Sequence, residues 1–186
     1  MKKFLTLRNI LICGGAFLAI LVFIFSFVAA FRVTSSNGTW SEYQGIVWGA
    51  RTIKFSDGSS ETAAPQDAIG AVVLPLIGAI LFILAGLGSI VLVLFGDKFL
   101  SEQVKKIGFI VCGGLLVLGG IFTFFTAEGF IANVAAKAGG TAQQVKDMWA
   151  ALNAKTSCGL PIVSGILAIL GGGAICASQF VPDKQF

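Results

Sequence analysis

The 186-residue chain contains no histidine. Because histidine is the usual acid–base group near neutral pH, its absence excludes Ser-His nucleophiles, His-based catalysis and most zinc sites. The glycines have neither P-loop spacing nor a preceding strand of the kind that dinucleotide-binding folds require. We therefore expect no catalytic residue, no metal site and no cofactor, and we predict that the protein is not an enzyme.

Aspartate, glutamate, lysine and arginine are absent from four long apolar runs, Ile10–Phe31, Ala68–Gly96, Ile107–Ala127 and Gly159–Val181. Each run reaches the ~20 residues that cross a ~30 Å hydrocarbon core as a helix. The composition agrees, because 56% hydrophobic residues and a mean hydropathy of +0.91 exceed the values of a soluble domain. The sequence predicts an all-α membrane protein, with one four-helix domain over residues 1–186.

The absence of charge within these runs also bears on function. Coupled transporters and intramembrane aspartyl proteases carry ionisable groups inside the membrane, so the sequence argues against both classes. The runs also lack a polar stripe, which leaves no obvious water path for a pore.

Cysteine is scarce and badly placed for disulfides. Three of the four cysteines, Cys13, Cys112 and Cys176, lie inside apolar runs, and Cys158 lies just before the fourth. No disulfide framework follows from this arrangement. The sequence favours cysteines that act as small apolar fillers.

The distribution of lysine and arginine predicts the orientation. Residues 1–9, 97–106 and 182–186 hold seven cations, whereas the longer loops 32–67 and 128–158 hold six cations and six acids. The positive-inside rule then places both termini in the cytoplasm, in the plasma (cytoplasmic) membrane. The net charge of +4 favours anionic lipid at the inner leaflet and gives no argument for nucleic acid. The first run exceeds the ~7–15 apolar residues of a signal peptide, so we expect a retained anchor.

An internal repeat is suggested by two similar segments. The segment from Pro75 to Ile90 aligns with the segment from Pro161 to Cys176, and six of the sixteen positions are identical. The pattern predicts two helical hairpins in tandem. Shared composition alone can also make glycine- and leucine-rich helices look alike.

The first long loop, residues 32–67, has a β-prone character. Tyr43–Ala50 and Arg51–Phe55 are typical of strands, and Asp57-Gly58 is a turn signal. We expect a small extracellular β-hairpin or sheet here. Its aromatic residues, Trp40, Tyr43 and Trp48, are expected to form its core, to anchor it at the membrane interface, or to face a partner.

The second long loop, residues 128–158, is predicted to be helical. Glu128–Ala138 has helical spacing, and Thr141–Gln144 matches a capping box that opens another helix through about Ala154. Trp149 forms an apolar stripe with Val145 and Leu152, and such a stripe usually packs on its own chain.

The fourth apolar run contains small residues at successive four-residue steps: Ser164, Ala168, Gly172 and Cys176. Small residues allow neighbouring backbones to approach closely in membranes. This ridge is therefore a candidate for close helix packing, either within the bundle or between protomers.

Several loop motifs resemble those of claudins and peripheral-myelin-like tetraspan proteins. Phe31–Thr34 is similar to the Trp-Arg-Val start of the claudin first loop, and Gly45–Trp48 is similar to its Gly-Leu-Trp motif. Residues 54–57 and 65–67 resemble the segment before the second helix, and Gly171–Cys176 resembles the glycine-rich fourth helix. The paired cysteines of the claudin first loop are absent. The resemblance implies four helices, cytoplasmic termini, a β-rich first loop and a shorter second loop.

These observations predict a multi-pass membrane protein with a role in structure and protein–protein interaction. Its partners would be the bilayer and further copies of itself, which associate laterally through the outer loops. The alternative is an accessory subunit of a larger transporter, channel or secretion complex, bound to another membrane protein. The candidate interaction residues are Arg32, Trp40, Tyr43, Gly45, Trp48 and Trp149.

Overall fold

The computed structural model describes residues 6–44, 50–62 and 70–181. The elements in chain order are α1 (Leu7–Phe25), β1 (Ala29–Thr34), β2 (Trp40–Gln44), β3 (Ala50–Lys54), β4 (Ser60–Thr62), α2 (Val73–Phe99), α3 (Glu102–Thr123), α4 (Thr126–Ala138), α5 (Ala142–Ala151), β5 (Lys155–Ser157) and α6 (Gly159–Ser178). Four of these helices, α1, α2, α3 and α6, are long and apolar enough to cross a membrane. The prediction of a mostly helical chain with a small sheet and a helical second loop is therefore confirmed.

The chain divides into two compact units. The first, which we call the helix unit, comprises Met1–Ile24, Ile77–Phe122 and Ser164–Phe186. The second, the loop unit, comprises Phe25–Leu76 and Thr123–Val163. Each unit has its own buried cluster of apolar side chains.

Glycines mediate the contacts between neighbouring helices of the helix unit. The close pairs are Gly86 with Ala19 (α2 with α1), Gly78 with Gly119 (α2 with α3), Gly172 with Gly113 (α6 with α3) and Gly15 with Gly171 (α1 with α6). These four pairs connect the helices in the cyclic order α1, α2, α3, α6. Larger side chains such as Phe82, Phe109 and Leu116 fill the centre and are fully buried.

The loop unit contains a five-stranded antiparallel sheet in the order β4-β3-β2-β1-β5. The predicted turn at Asp57-Gly58 connects β3 to β4, with Gly58 at φ +87°. A similar turn that the sequence analysis did not identify connects β1 to β2, with Gly38 at φ +83°. In each turn the Asn37 or Asp57 side chain accepts a hydrogen bond from the backbone N–H two residues later. Such turns have a residue in the left-handed region, where glycine is favoured.

The helices α4 and α5 complete the loop unit. The predicted capping box is present, because the Thr141 hydroxyl accepts from Gln144 N–H and the Gln144 side chain accepts from Thr141 N–H. Gly139 (φ +69°) ends α4 in the left-handed conformation. The α5 helix ends at Ala151, earlier than the predicted Ala154, and the chain then enters β5 at Lys155. The sequence analysis did not predict this strand.

The bounds of the four long apolar helices differ from the predicted runs. The α1 helix ends at Phe25, six residues before the predicted end at Phe31, because the chain enters β1 at Ala29. Among the residues that follow α1, Phe31 is only 2% exposed and belongs to the buried cluster of the loop unit, whereas Phe27 and Val28 are exposed. The 19 residues of α1 still span about 29 Å, which is near the thickness of the hydrocarbon core of a bilayer.

The other three predicted runs also need correction at their ends. The second was predicted over 68–96, but residues 70–72 are non-helical and α2 covers Val73–Phe99. The third was predicted to end at Ala127, but α3 ends at Thr123, where the Thr126 hydroxyl donates to the Thr123 carbonyl. The fourth was predicted to end at Val181, but α6 ends at Ser178.

The predicted ten-residue loop 97–106 between the second and third helices is wrong. Only Leu100 and Ser101 separate α2 from α3. Ser101 caps α3, since its hydroxyl accepts a long 3.4 Å hydrogen bond from Val104 N–H. A serine before Glu102 at the helix start is a recognised N-terminal signal that the sequence analysis missed.

Candidate functional site

The sheet of the loop unit has an aromatic side that packs on α4 and α5. Phe31 stacks on Phe130 with ring centroids 5.5 Å apart, and its ring lies 5.9 Å from Trp149 and 6.1 Å from Tyr43. All four side chains are at most 9% exposed. The predicted candidates Tyr43 and Trp149 are therefore core residues of the loop unit.

The stripe predicted on α5 is partly wrong. Val145 and Trp149 belong to the buried cluster, but Leu152 is 55% exposed. Met148, four residues before Leu152, is exposed to a similar degree. The helix therefore has one buried apolar side and a second, exposed apolar pair.

The burial of Tyr43 affects its ionisation. Desolvation raises the pKa of its phenol above the ordinary value of 10.0, and the nearby positive charge of Arg51 opposes this shift. The Arg51 guanidinium also donates a 3.2 Å hydrogen bond to the Ser41 hydroxyl. Tyr43 is consequently a neutral, buried group at physiological pH.

The opposite side of the sheet, which we call the polar face, carries two rows of side chains across the strands. By the strand registers, one row is Lys155, Thr34, Trp40, Lys54 and Ser60, and the other is Ser157, Arg32, Glu42, Thr52 and Thr62. Successive residues of a strand point to opposite sides, so these rows face away from Phe31 and Tyr43. Trp40 is the only large apolar side chain in either row.

Arg32 and Trp40 lie together on the polar face. The Arg32 guanidinium lies 5.2 Å and the Lys54 ammonium 5.7 Å from the centre of the Trp40 ring, which places both cations in the cation–π range. Arg32 also forms a 3.0 Å ion pair with Glu42, whose side chain is 8% exposed. Trp40 is half-buried, and its indole Nε1 has no hydrogen-bond partner within the described ranges. Arg32, Trp40 and Lys54 thus form a charged aromatic cluster.

Two interaction candidates, Gly45 and Trp48, lie outside the described residues.

The small-residue ridge of α6 lies against α3. A methyl group placed on Gly172 would lie 2.5 Å from the Gly113 carbonyl oxygen, and Cys176 Sγ lies 3.7 Å from the Ile110 carbonyl oxygen. Ala168 and Ser164 are buried in the same helix. The ridge is therefore occupied by a neighbouring helix of the same chain.

The structure also bears on the proposed internal repeat. Pro75 and Pro161 both occupy the third position of their helices, where a missing N–H is tolerated. The segments 12–15 and 111–114, which both read aliphatic-Cys-Gly-Gly, are a second similar pair. They differ in packing, because a methyl group placed on Gly15 would meet Gly171 of α6 whereas one placed on Gly114 would meet no atom of another element within 4 Å. The repeat remains a prediction.

The described residues contain no group of three or more His, Cys, Asp or Glu side chains that could hold a metal ion. Burial raises the pKa of the Cys158 thiol to about 11, which leaves very little reactive thiolate at neutral pH. Hydrogen bonds from Ser59 lower the pKa of the exposed Asp57 carboxyl, which serves the β3–β4 turn. These groups have structural explanations.

Comparison with known proteins adds no assignment, since the chain matches no protein-family model and no curated protein sequence. Lys155, Lys54 and Ser60, which belong to the polar face, were not predicted as site residues. The Lys155–Ser157 segment is only three residues long, and its pairing with β1 joins residues more than a hundred positions apart. Local sequence patterns contain no signal for such a pairing.

Proposed function

We propose that this chain is a non-enzymatic, multi-pass membrane protein of the claudin-like or peripheral-myelin-like kind. It resides in the plasma (cytoplasmic) membrane with both termini in the cytoplasm. Copies associate laterally through their loop units, which lie on the extracytoplasmic side. The family proposal is supported by the order of elements: a strand follows the first apolar helix directly, and a second loop supplies two helices and one further strand.

The observation that carries the proposal of self-association is the pair of open sheet edges. Both outer strands, β4 and β5, are exposed along their whole length. An exposed edge strand offers unpaired N–H and C=O groups to another strand. Two short edges on a folded loop unit are therefore suitable for joining one copy to the next.

The hydrogen-bond pattern identifies which edge groups are free. Ser35 N–H donates to the Thr39 carbonyl (2.8 Å) where the β1–β2 ladder begins. Because hydrogen-bonded pairs alternate along an antiparallel ladder, Val33 directs its N–H and C=O toward β2. Thr156 lies opposite Val33 on β5, so we infer that its N–H and C=O point to the free edge.

The same alternation applies at β4. Phe55 N–H donates to the Ser59 carbonyl (2.9 Å), which begins the β3–β4 ladder with a hydrogen-bonded pair. Ser60 and Thr62 then direct their N–H groups away from β3. Proline at Thr156 or Thr62 would remove an outward N–H without removing a bond of the existing sheet.

Cross-linking in native membranes, followed by mass analysis of the products, tests the proposal. We expect a ladder that contains only this chain and collapses toward monomer in Thr156→Pro or Thr62→Pro. The matched controls, Thr156→Val and Thr62→Val, keep the N–H and should keep the ladder. A ladder unchanged by both prolines would rule out association through the sheet edges.

The exposed pair Met148 and Leu152 favours a second candidate, an accessory subunit that docks on another membrane protein. An exposed apolar pair is a suitable contact for a foreign partner. In the same cross-linking experiment, this candidate requires one product with a different protein. That product should be lost in Met148→Ser/Leu152→Ser and kept in the proline variants.

A further inference from the structure

We propose that the polar face of the sheet binds an anionic polysaccharide, a chain of sugar rings that carries carboxylate or sulfate groups. The row nearest the two hairpin turns places Trp40 next to Lys54 on β3, while Lys155 lies on β5. Thr34 and Ser60 contribute hydroxyl groups to the same row. Aromatic, hydroxyl and cationic groups on one flat surface match the ring faces, hydroxyls and acidic groups of such a polymer.

The charge of the loop unit is unevenly distributed. Its described residues carry six cations and five acids. The polar face holds three of these cations, Arg32, Lys54 and Lys155, but only one acid, Glu42, which is already paired with Arg32. The rest of the loop unit therefore holds three cations and four acids. Positive charge is therefore concentrated on the side of the sheet that faces away from the buried aromatic cluster. This distribution favours an anionic ligand.

The surroundings of Trp40 support the same ligand class. Two cations lie within 6 Å of its ring, so their mutual repulsion is only partly balanced by Glu42. An anionic group between Lys54 and Trp40 would relieve that repulsion.

Among the residues that the structure describes, the absence of other large apolar side chains from the two rows favours a polysaccharide over an acidic peptide. Peptide recognition normally uses pockets for side chains as well as charge. In the two rows, every residue other than Trp40 is polar or charged. A single flat ring flanked by hydroxyls suits a sugar ring better than a series of peptide side chains.

The spacing of the cations sets the size of the ligand. Lys155 and Lys54 lie three strands apart, which corresponds to roughly 14 Å at a strand spacing of ~4.8 Å. A polymer that contacts both lysines must therefore cross Trp40 and carry acidic groups on either side of it. Single sugars or free anions would contact only one cation and should bind much more weakly.

This inference goes beyond the proposed self-association and does not require it. The polysaccharide would contact the polar face, whereas association uses the N–H groups of the sheet edges. Neutralising lysines should therefore leave the cross-linked ladder intact. Thr156→Pro should leave polysaccharide binding intact, because Thr156 pairs with Val33 and its side chain lies on the side of the sheet opposite the polar face. Failure of either proposal can be recognised separately.

The test measures binding of the full chain, purified in a neutral detergent, to immobilised dextran sulfate. Neutral dextran and polyglutamate serve as comparison ligands. We expect Lys54→Gln/Lys155→Gln to weaken dextran sulfate binding about tenfold, because two exposed charge contacts are lost. Trp40→Ala should weaken it about fivefold, and Trp40→Phe should retain most of the affinity because a ring is kept.

Two matched controls locate the binding. Lys137→Gln removes a cation of the loop unit outside the polar face, and Lys98→Gln/Lys106→Gln removes cations of α2 and α3. Both should bind within about twofold of the unaltered chain, since neither changes the polar face. Resistance to protease should be unchanged in every variant, which separates lost contacts from unfolding.

Three results would overturn the inference. If the chain did not bind dextran sulfate, the inference would be wrong. Binding weakened only by Lys98→Gln/Lys106→Gln would show that the polymer contacts a different surface. Equal binding of polyglutamate, with no effect of Trp40→Ala, would identify an acidic peptide as the partner instead.

Discussion

The helix unit and the loop unit are stabilised by opposite kinds of packing. In the helix unit, glycines bring neighbouring backbones together, as at Gly172 and Gly113. In the loop unit, large rings fill the space between a sheet and two helices, as at Phe31 and Phe130. In the helix unit, the close contacts between helices are thus made by small residues around larger buried side chains, whereas in the loop unit the packing is made by the large rings themselves.

The difference follows from the solvent that each unit is expected to meet. Water drives large apolar side chains together, because each removes much apolar area from contact with water. Lipid tails provide no such force between helices, so close van der Waals contact between backbones becomes more important. The units should consequently respond in opposite ways to changes in side-chain size.

The largest effect is expected when a ring is removed from the loop unit. Phe31→Ala should destabilise the loop unit by about 3–5 kcal/mol, because a buried phenylalanine leaves a large cavity. The exposed Phe55, at the end of β3, provides the matched control Phe55→Ala. Thermal unfolding and limited proteolysis in detergent would measure both. Equal loss of stability in the two variants would show that ring packing does not hold the loop unit together.

The helix unit should be destabilised when a side chain is made larger, and the expected loss of stability is smaller than that of Phe31→Ala. Gly172→Ala should cost about 2–3 kcal/mol, because the added methyl meets the Gly113 backbone, which cannot move aside as a side chain does. A methyl group placed on the next residue, Gly173, would meet no atom of another element within 4 Å. Gly173→Ala should therefore be neutral or stabilise by up to about 1 kcal/mol through helix propensity. If both variants melted at the same temperature, close backbone contact would not be what stabilises the helix unit.

The capping box of α5 should have an effect of intermediate size that is confined to the loop unit. Thr141→Ala removes the acceptor for Gln144 N–H and should cost about 1 kcal/mol. Thr141→Ser keeps a hydroxyl and serves as the control. Protease cleavage near α5 should accelerate in the alanine variant alone, while cleavage within the helix unit should not change. Accelerated cleavage in the helix unit would contradict the separation of the two units.

The smallest effect concerns the pH dependence of the loop unit. Burial raises the pKa of Tyr43, so folding favours its protonated form. That contribution to stability is fully present below pH 10 and is lost as the pH rises through the raised value in the folded state.

Ultraviolet absorbance of the phenolate reports this titration directly, since Tyr43 is the only tyrosine. Its midpoint should lie above 10 in the folded protein and return to the ordinary value after denaturation. Tyr43→Phe should remove the phenolate absorbance change. The thiol of Cys158, with a pKa of about 11, still titrates in the same pH range in that variant. A midpoint unchanged by denaturation would mean that Tyr43 is not buried.

The sequence was sufficient to predict features that depend on local patterns. The four apolar helices followed from uncharged runs, and the Thr141–Gln144 capping box and the Asp57-Gly58 turn followed from residue type and spacing. The ends of the helices were less predictable. Residues 26–31 are as apolar as a membrane segment, but Phe31 is buried by rings from residues far along the chain.

Features that depend on distant pairing were not predictable. Trp40 was recognised as a candidate, but its position between Arg32 and Lys54 depends on the register of three strands. Lys155 joined the polar face only through the pairing of β5 with β1. Sequence periodicity describes which side of a strand a residue faces, and it does not specify which strand lies alongside.

The pairing of β1 with β5 has a consequence for synthesis. Strand β1 begins at Ala29, but its partner β5 ends at Ser157, and the rings of Phe130 and Trp149 that cover Phe31 are also made late. At ~5–20 residues per second, translation needs roughly ten seconds to pass from one strand to the other. During that interval two of the four long apolar helices, α2 and α3, are synthesised while one edge of β1 and the Phe31 ring stay uncovered. We therefore expect the nascent chain to depend on chaperones until its last loop has emerged.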